Sequence, residues 1–361
     1  MLDTPVIHVI IPVYKAEKYI AQTLDSVIGQ PYPNIQIICV DDGSPDDSIA
    51  ILRDYEHRYE NIHVIRQENG GVSKARNTGI EYALSHCAEE DYIAFLDSDD
   101  LWAKNASSSF AKDLKEHPDC VGYREVRCSE NLTKMSSPLE QKACVLPGGS
   151  ESIWCHSSFS FGAVLYSCRL LKKYPVRFVE RLNYAEDSIF KFTCFYLAES
   201  IKLVDPVLYC YRINSTSAMQ RRKYGTDYMP PIISGYQSAY RFLQPYENPT
   251  RGTAKFAMIM AGVHGIEMAE EHFQKFRSVR RLEKFMADQP DITEVIQQLD
   301  RRDLSQNHQQ MYDLYINSPL KFRICCYVSG FRVALTNILK KQKIVLRIKE
   351  ERAFPVPNEY L

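Results

Sequence analysis

Along the first hundred residues, short apolar runs alternate with segments whose apolar residues recur every three or four positions. "VIHVIIP" (6–12), "IQIICV" (35–40), "IHVI" (62–65) and "YIAFL" (92–96) are apolar and rich in β-branched residues. They predict strands buried on both faces, since such strands read as continuous runs and not as alternation. Between them, "EKYIAQTLDSVI" (17–28) places Tyr19, Ile20, Leu24, Val27 and Ile28 at helical spacing. "DDSIAILRDYEHRY" (46–59) predicts a second helix with Ser44 as its cap, and "SKARNTGIEYALSHC" (73–87) a third. The order βαβαβαβ predicts an α/β fold, a mostly parallel sheet with helices on both faces.

In such sheets ligands bind beyond the carboxyl ends of the strands. That edge collects Pro12, Val13 and Tyr14 after the first strand and Asp41 and Asp42 after the second. The third leads to Glu68, Asn69, Gly70 and Gly71, and the fourth to Asp97, Ser98, Asp99 and Asp100. Turn chemistry accounts for Gly43 and Ser44. It does not account for carboxylates at two strand ends, because clustered like charges repel and resist burial. No GxGxxG follows the first strand and no GxxxxGK[ST] occurs, so phosphates need something other than a glycine cradle. An Asp-Ser-Asp whose alternate carboxylates converge on Mg²⁺ or Mn²⁺ supplies it, as these ions take oxygen ligands and often share them with substrate phosphates.

Composition narrows the class. The chain has 361 residues, 45% hydrophobic and 25% charged, with a net charge of −1. That is globular composition without the basic excess of a nucleic-acid binder. The 11 cysteines include no CxxC pair and read as free thiols rather than a metal or disulfide framework. "MLDTPVIHVIIPVY" lacks a basic n-region, and no apolar run is long enough to span a bilayer, so the expected location is cytoplasmic.

"IIPVYKAEKYI", "VDDGSPDDS", "ENGGVSKARNTGI" and "FLDSDD" resemble the successive motifs of family-two glycosyltransferases with the GT-A fold. "RFVERLNYAEDSIF" (177–190) resembles their Glu-Asp motif, and "LYCYRINSTS" (208–217) the strand after it. The resemblance covers residues 6 to about 217 in the family's order. It implies a catalytic domain over 1–217, with a donor half (1–103) and an acceptor half (104–217), followed by a helical region over 218–361. It further implies a nucleotide-sugar donor, UDP-linked, and a glycan or lipid-linked saccharide acceptor of the bacterial surface-glycan type.

Roles follow residue by residue. Pro12, Val13 and Tyr14 would line the base pocket, and Asp42 would accept from the base, with Asp41 as the alternative or else an Asx-turn. Asn69 and Arg76 would hold the nucleoside and pyrophosphate. Asp97 and Ser98 would contact ribose and phosphate, with Asp97 and Asp99 holding the metal. Asp100 reads as a cap for a following helix. Asp187 would be the general base, with Glu186 shaping the acceptor pocket, and direct attack implies inversion. Arg212 and Ser215 are candidates to close over pyrophosphate or acceptor, and His156, near Trp154, to reach metal or acceptor.

Two other functions fit part of the pattern. "DSDD" is shared with metal-dependent phosphohydrolases, although Leu101 and Trp102 fit that class poorly. A catalytically idle nucleotide-sugar-binding subunit would not need Asp97, Asp99 and Asp187 together. The carboxyl-terminal "LKKQKIVLRIKEER" interleaves basic and aliphatic residues. That pattern suits peripheral contact with an anionic membrane, on the inner face of the plasma membrane, and equally a packing helix with a solvated basic face.

Overall fold

The structure is a computed structural model that describes residues 4–133, 143–149, 160–182, 184–213, 229–276 and 290–303, with isolated positions 136, 284, 287, 288, 309, 312, 313 and 316. Among the described residues the chain forms two units. One comprises residues 4–213 with Tyr246–Thr253, the other 229–245 with 254–316.

The first unit is built on a nine-stranded mixed sheet. β1 (Ile7–Val13), β2 (Ile35–Asp41), β3 (Ile62–Arg66) and β4 (Tyr92–Phe95) run parallel in the order β3-β2-β1-β4. Every residue of β1 is buried, which is why it reads as an unbroken apolar run. Beyond β4 the sheet continues through three later strands: β8 (Val164–Ser167), β6 (Cys120–Ser129) and β9 (Ser200–Ile213). β8 is antiparallel to both neighbours, whereas β6 and β9 are parallel. The short β5 (Leu101–Trp102) and β7 (Cys144–Pro147) each pair antiparallel with β9.

Helices α1 (Ile20–Ile28) and α2 (Ser48–Arg58) pack Ile20, Leu24, Val27, Leu52 and Tyr55 against Ile7, Val9, Ile11 and Val13. The other face of β1 meets α3 (Val72–His86), where a Cβ on Gly79 would stand 2.4 Å from Ile10. Glycine there permits the close approach of helix to sheet. Ser44 is not the cap of α2. Its hydroxyl accepts from Lys15 N at 3.2 Å, and the helix begins at Ser48, whose hydroxyl accepts from Ala16 N at 2.9 Å. Both serines tie the β2–α2 loop to the β1 exit, a tertiary task that outcompetes local capping.

After α4 (Phe110–Asp113) and α5 (Cys168–Lys173), the long apolar α6 (Glu186–Leu197) leads into β9. Phe190 of α6 stacks on Phe178 at 4.2 Å between ring centroids, within a cluster that includes Phe95, Phe161 and Tyr166.

The second unit is helical: α7 (Met229–Leu243), α8 (Lys255–Phe276) and α9 (Pro290–Gln298). Ile233 and Tyr236 of α7, Phe256 and Ala257 of α8, and Val295 and Ile296 of α9 are buried. No helix among the described residues is long and apolar enough to cross a membrane. The basic tail lies outside the described residues.

Candidate active site

β4 delivers the chain to a tight turn at 97–100, closed by Asp100 N donating to Asp97 O at 3.0 Å. The turn is pinned from several sides. The Thr23 hydroxyl lies 3.0 Å from Ser98 O and 2.9 Å from Asp100 O. Asp100 is only 1% exposed, and its carboxylate accepts from Tyr209 Oη at 2.6 Å and Arg212 N at 2.7 Å. β5 follows this aspartate directly, so it caps no helix and instead anchors the turn to β9. Burial, with Asp99 and Asp97 close by, pushes the Asp100 carboxyl well above the usual carboxylate range.

Arg212 serves the same turn. It is buried, and its side chain donates to Asp99 O, Glu130 O and Gln22 Oε1 at 2.7, 2.8 and 2.9 Å. Its guanidinium also lies over the Tyr19 ring. These bonds spend the side chain on scaffold carbonyls. Asp97, 40% exposed, and the half-buried Asp99 stay at the rim.

The second acidic pair opens α6. Ala185, at φ 64°, turns the chain in the left-handed region, a strained conformation for a residue with a Cβ. Glu186 and Asp187 then occupy the first helical turn, where the helix dipole favours negative charge. Asp187 Oδ1 accepts from Ser188 N at 2.6 Å.

Arg76 joins the two clusters. Its guanidinium donates to Asp97 Oδ1 at 2.7 Å and to Glu186 Oε1 at 3.0 Å, over the rings of Phe161 and Phe178. Burial disfavours the guanidinium charge, but Asp97 and Glu186 more than offset it and hold Arg76 above its ordinary value. Burial pushes the Glu186 carboxyl up, with Arg76 opposing and Asp187 adding to the rise. One turn along α6, Lys191 is buried, and burial pulls its amine down to about 8 against the charges of Asp187 and Glu125.

On the β1–β2 side, Asp42 N donates to Val13 O at 2.8 Å, so Pro12, Val13, Tyr14 and Asp42 share one corner of the sheet edge. Tyr14 is 46% exposed. The Asp42 carboxylate accepts from Gln67 Nε2, Gly70 N and Gly71 N, each at 2.8 Å. Three of its roughly four acceptor positions are therefore taken. Asn69 donates to Asp42 O at 2.9 Å. Asp41 is fully buried; it accepts from Ser44 N at 3.2 Å, an Asx-type turn, and pairs with Arg66.

Among the candidates, Asp97, Arg76, Glu186 and Asp187 thus form one group and Tyr14, Asp42 and Asn69 another. Ser98 lies in the turn of the first and presents its carbonyl to Thr23. Ser215, Trp154 and His156 lie outside the described residues. Thr23, Gln67, Lys191 and Tyr209 escaped the sequence reading. Lys191 alone carried a signal, as the one cation within the apolar helix "SIFKFTCFYL".

Among the described residues no three His, Cys, Asp or Glu side chains group to hold a metal. Asp97 and Asp99 together offer two half-accessible hard oxygen donors. A divalent cation suits that donor set, provided that a ligand and water complete its coordination.

Residues 8–173 match the family model "Glycosyl transferase family 2". The uncharacterised glycosyltransferase EpsJ of Bacillus subtilis is 32% identical over 246 residues, 66% of this chain and 68% of that one. The putative glycosyltransferase EpsH of the same organism is 30% identical over 253 residues, 67% of this chain and 70% of that one. In fold, the chain is similar to residues 1–349 of S. aureus TarS, solved in complex with UDP-GlcNAc. The TM-score is 0.59 at 21% identity, with 93% of this chain and 92% of that one covered. Sequence and fold agree that the chain belongs to glycosyltransferase family 2 and is a glycosyltransferase with the GT-A fold.

Proposed function

We propose that the enzyme is an inverting transferase moving a sugar from a UDP-linked donor to a hydroxyl of a glycan or lipid-linked saccharide. The observation that carries this reading is the Arg76 bridge, which makes the Asp97 cluster and the Glu186–Asp187 pair one continuous site. Donor diphosphate and acceptor hydroxyl then meet across a single guanidinium. The fold likeness to TarS, solved with UDP-GlcNAc, supports the uridine donor.

The exposed Tyr14 ring offers a stacking face for the base, and Asp42, itself buried, keeps one acceptor position that would take a base N–H. Asn69 and Ser98 border the nucleoside and ribose. Asp97 and Asp99 would hold Mn²⁺ or Mg²⁺, which when bound supplies Lewis-acid stabilisation of the leaving diphosphate. Arg76 pairs with Asp97 and holds Glu186 toward the acceptor, while Asp187, carried on the first helical turn, takes the hydroxyl proton. The interleaved basic and aliphatic residues of 339–352 support contact with an anionic membrane, where such an acceptor would lie.

Thermal shift tests the donor half. UDP with Mn²⁺ should raise Tm, and a chelator should abolish most of the rise, because one guanidinium shared with Glu186 would leave the Asp97–Asp99 pair net negative toward the diphosphate. Asp99→Asn should lose the metal-dependent part. Equal stabilisation by UDP with and without metal would overturn the metal-bridged reading.

A further inference from the structure

At the opposite edge of the sheet, where β4 begins, two thiols meet that the proposed reaction does not use. Cys87 closes α3 and Cys168 opens α5. The register sets them side by side. Tyr92 pairs with Ser167, Cys168 N donates to Asp91 O at 2.8 Å, and Arg169 N donates to Glu89 O at 3.2 Å. Asp91 folds its own segment back by accepting from Ala88 N at 2.7 Å, which returns Cys87 toward Cys168. Lys172, one turn along α5 from Cys168, donates Nζ to Cys87 O at 2.7 Å. Cys168 and Lys172 therefore share the face of α5 that the Cys87 carbonyl meets, and the Cys87 thiol itself lies 3.8 Å from Leu84 O.

The members of the pair differ. Cys168 is fully buried, whereas Cys87 is half-buried and open to small solutes. The neighbouring Cys168, aided by Lys172 and His8 and opposed by burial, pulls the Cys87 thiol below the usual thiol range. Cys87 and burial push Cys168 up. By contrast Cys39, Cys120, Cys128, Cys194 and Cys210 are buried thiols that burial pushes up, away from the thiolate form. One accessible nucleophile beside one shielded resolving thiol is the arrangement of a peroxide-reactive pair.

We propose that Cys87 and Cys168 form a dithiol that hydrogen peroxide converts to a disulfide, clasping the end of α3 to the start of α5. The Cys87 thiolate attacks one peroxide oxygen, the O–O bond breaks, and hydroxide leaves to become water with a proton from solvent. The sulfenic acid formed is then attacked by the Cys168 sulfur. The S–O bond breaks, the Cys168 proton leaves with the oxygen as a second water, and the S–S bond closes. Two electrons pass from the two thiols to the peroxide. The clasp closes a loop of roughly 80 residues, which restricts the unfolded chain and should raise Tm by about 5 °C.

The test uses the reduced full-length protein, exposed to hydrogen peroxide, alkylated and digested without reductant. The expected product is a Cys87–Cys168 linked peptide, with the five buried cysteines recovered as alkylated thiols. Cys168→Ser should leave Cys87 as a sulfenic acid that dimedone traps, and Cys87→Ser should leave Cys168 reduced. The oxidised wild type should melt higher than the reduced form, and Cys87→Ser should show no such difference. Recovery of both Cys87 and Cys168 as alkylated thiols, at a dose that oxidises free cysteine, would overturn the proposal. An unchanged Tm in protein shown to carry the bond would overturn its bracing role.

Discussion

At 97–100 the backbone is fixed from three directions by Thr23, Tyr209 and Arg212, whereas at 186–187 the carboxylates stand behind an alanine in the left-handed region with no side-chain cap. The first cluster is rigid because its carbonyls and its innermost carboxylate are consumed by scaffold donors. The second is held by a helix start and one bond to Arg76. On the proposed reading the first cluster would hold a metal bridge, which calls for fixed oxygens. The second would take a proton, which calls for direction with a little freedom. The difference predicts that the two clusters, though joined by Arg76, can be damaged separately. Damage to the second should spare nucleotide binding, and damage to the link between them should reach both.

The largest expected effect is at Asp187. Asp187→Asn should lower transfer by roughly 10²–10⁴-fold, the usual range for losing a general base, while UDP affinity in Mn²⁺ stays near wild type. Turnover with the true acceptor and calorimetric UDP titration check the two halves. Lost UDP binding would show that the clusters are not separable. Glu186→Gln should be milder and appear as weaker acceptor use.

Arg76→Met breaks the link itself. It leaves Glu186 and Asp97 without their cation in a largely buried setting. Removing one partner of such a pair costs about 3 kcal/mol once the exposure of Asp97 is discounted. Urea melts should show that loss, and transfer should fall with it. A variant as stable as wild type would mean that solvent already screens both carboxylates.

Lys191 tests the acceptor-side cluster through pH. Its folded value of about 8 lies below its ordinary 10.5, so below pH 8 its buried charge destabilises the fold. That penalty is relieved as pH rises from about 8 toward 10.5, because there the unfolded chain binds the extra proton. Wild type should therefore gain up to a few kcal/mol on Lys191→Met across that window. The difference between the two melts isolates this residue from the tyrosines and cysteines that also titrate there. A flat difference would mean that Asp187 and Glu125 fully compensate the lysine.

Much of this was legible beforehand. Three strands buried on both faces announced themselves as apolar runs, whereas β3, at the sheet edge, buries only Ile62 and Val64. The rule about strand ends nominated Tyr14, Asp42, Asn69, Asp97 and Asp99 as candidates. Of the later sheet only the strand around 208–213 was foreseen, through the family resemblance. The rest was not, since β8, β6 and β9 are joined out of sequence order and β5 has only two residues. Asp100 read as a cap because acidity before an apolar residue is a local signal. Its true partners, Tyr209 and Arg212, lie more than a hundred residues away. Ser44 misled for the same reason. Local pattern nominates candidate residues, while long-range hydrogen bonds decide which of them scaffold.

Thr23 carries the smallest effect and separates scaffold from ligand at the first cluster. It lies on α1, and its hydroxyl is shared between Ser98 O and Asp100 O, both in the turn that presents Asp99, with Tyr19 O of its own helix farther off at 3.3 Å. Thr23→Val keeps the branched shape and removes the donor, leaving those buried carbonyls one partner short. The expected cost is about 1–2 kcal/mol of stability. Because the turn also has Tyr209 and Arg212, it should hold its shape, and the metal-dependent Tm rise with UDP should persist with at most a few-fold loss of affinity. Differential scanning fluorimetry of Thr23→Val with UDP, Mn²⁺ and chelator measures both quantities at once. A full loss of the metal-dependent rise, at unchanged stability without ligand, would make the hydroxyl part of the binding site instead of its frame, and the contrast between a pinned cluster and a poised one would fail.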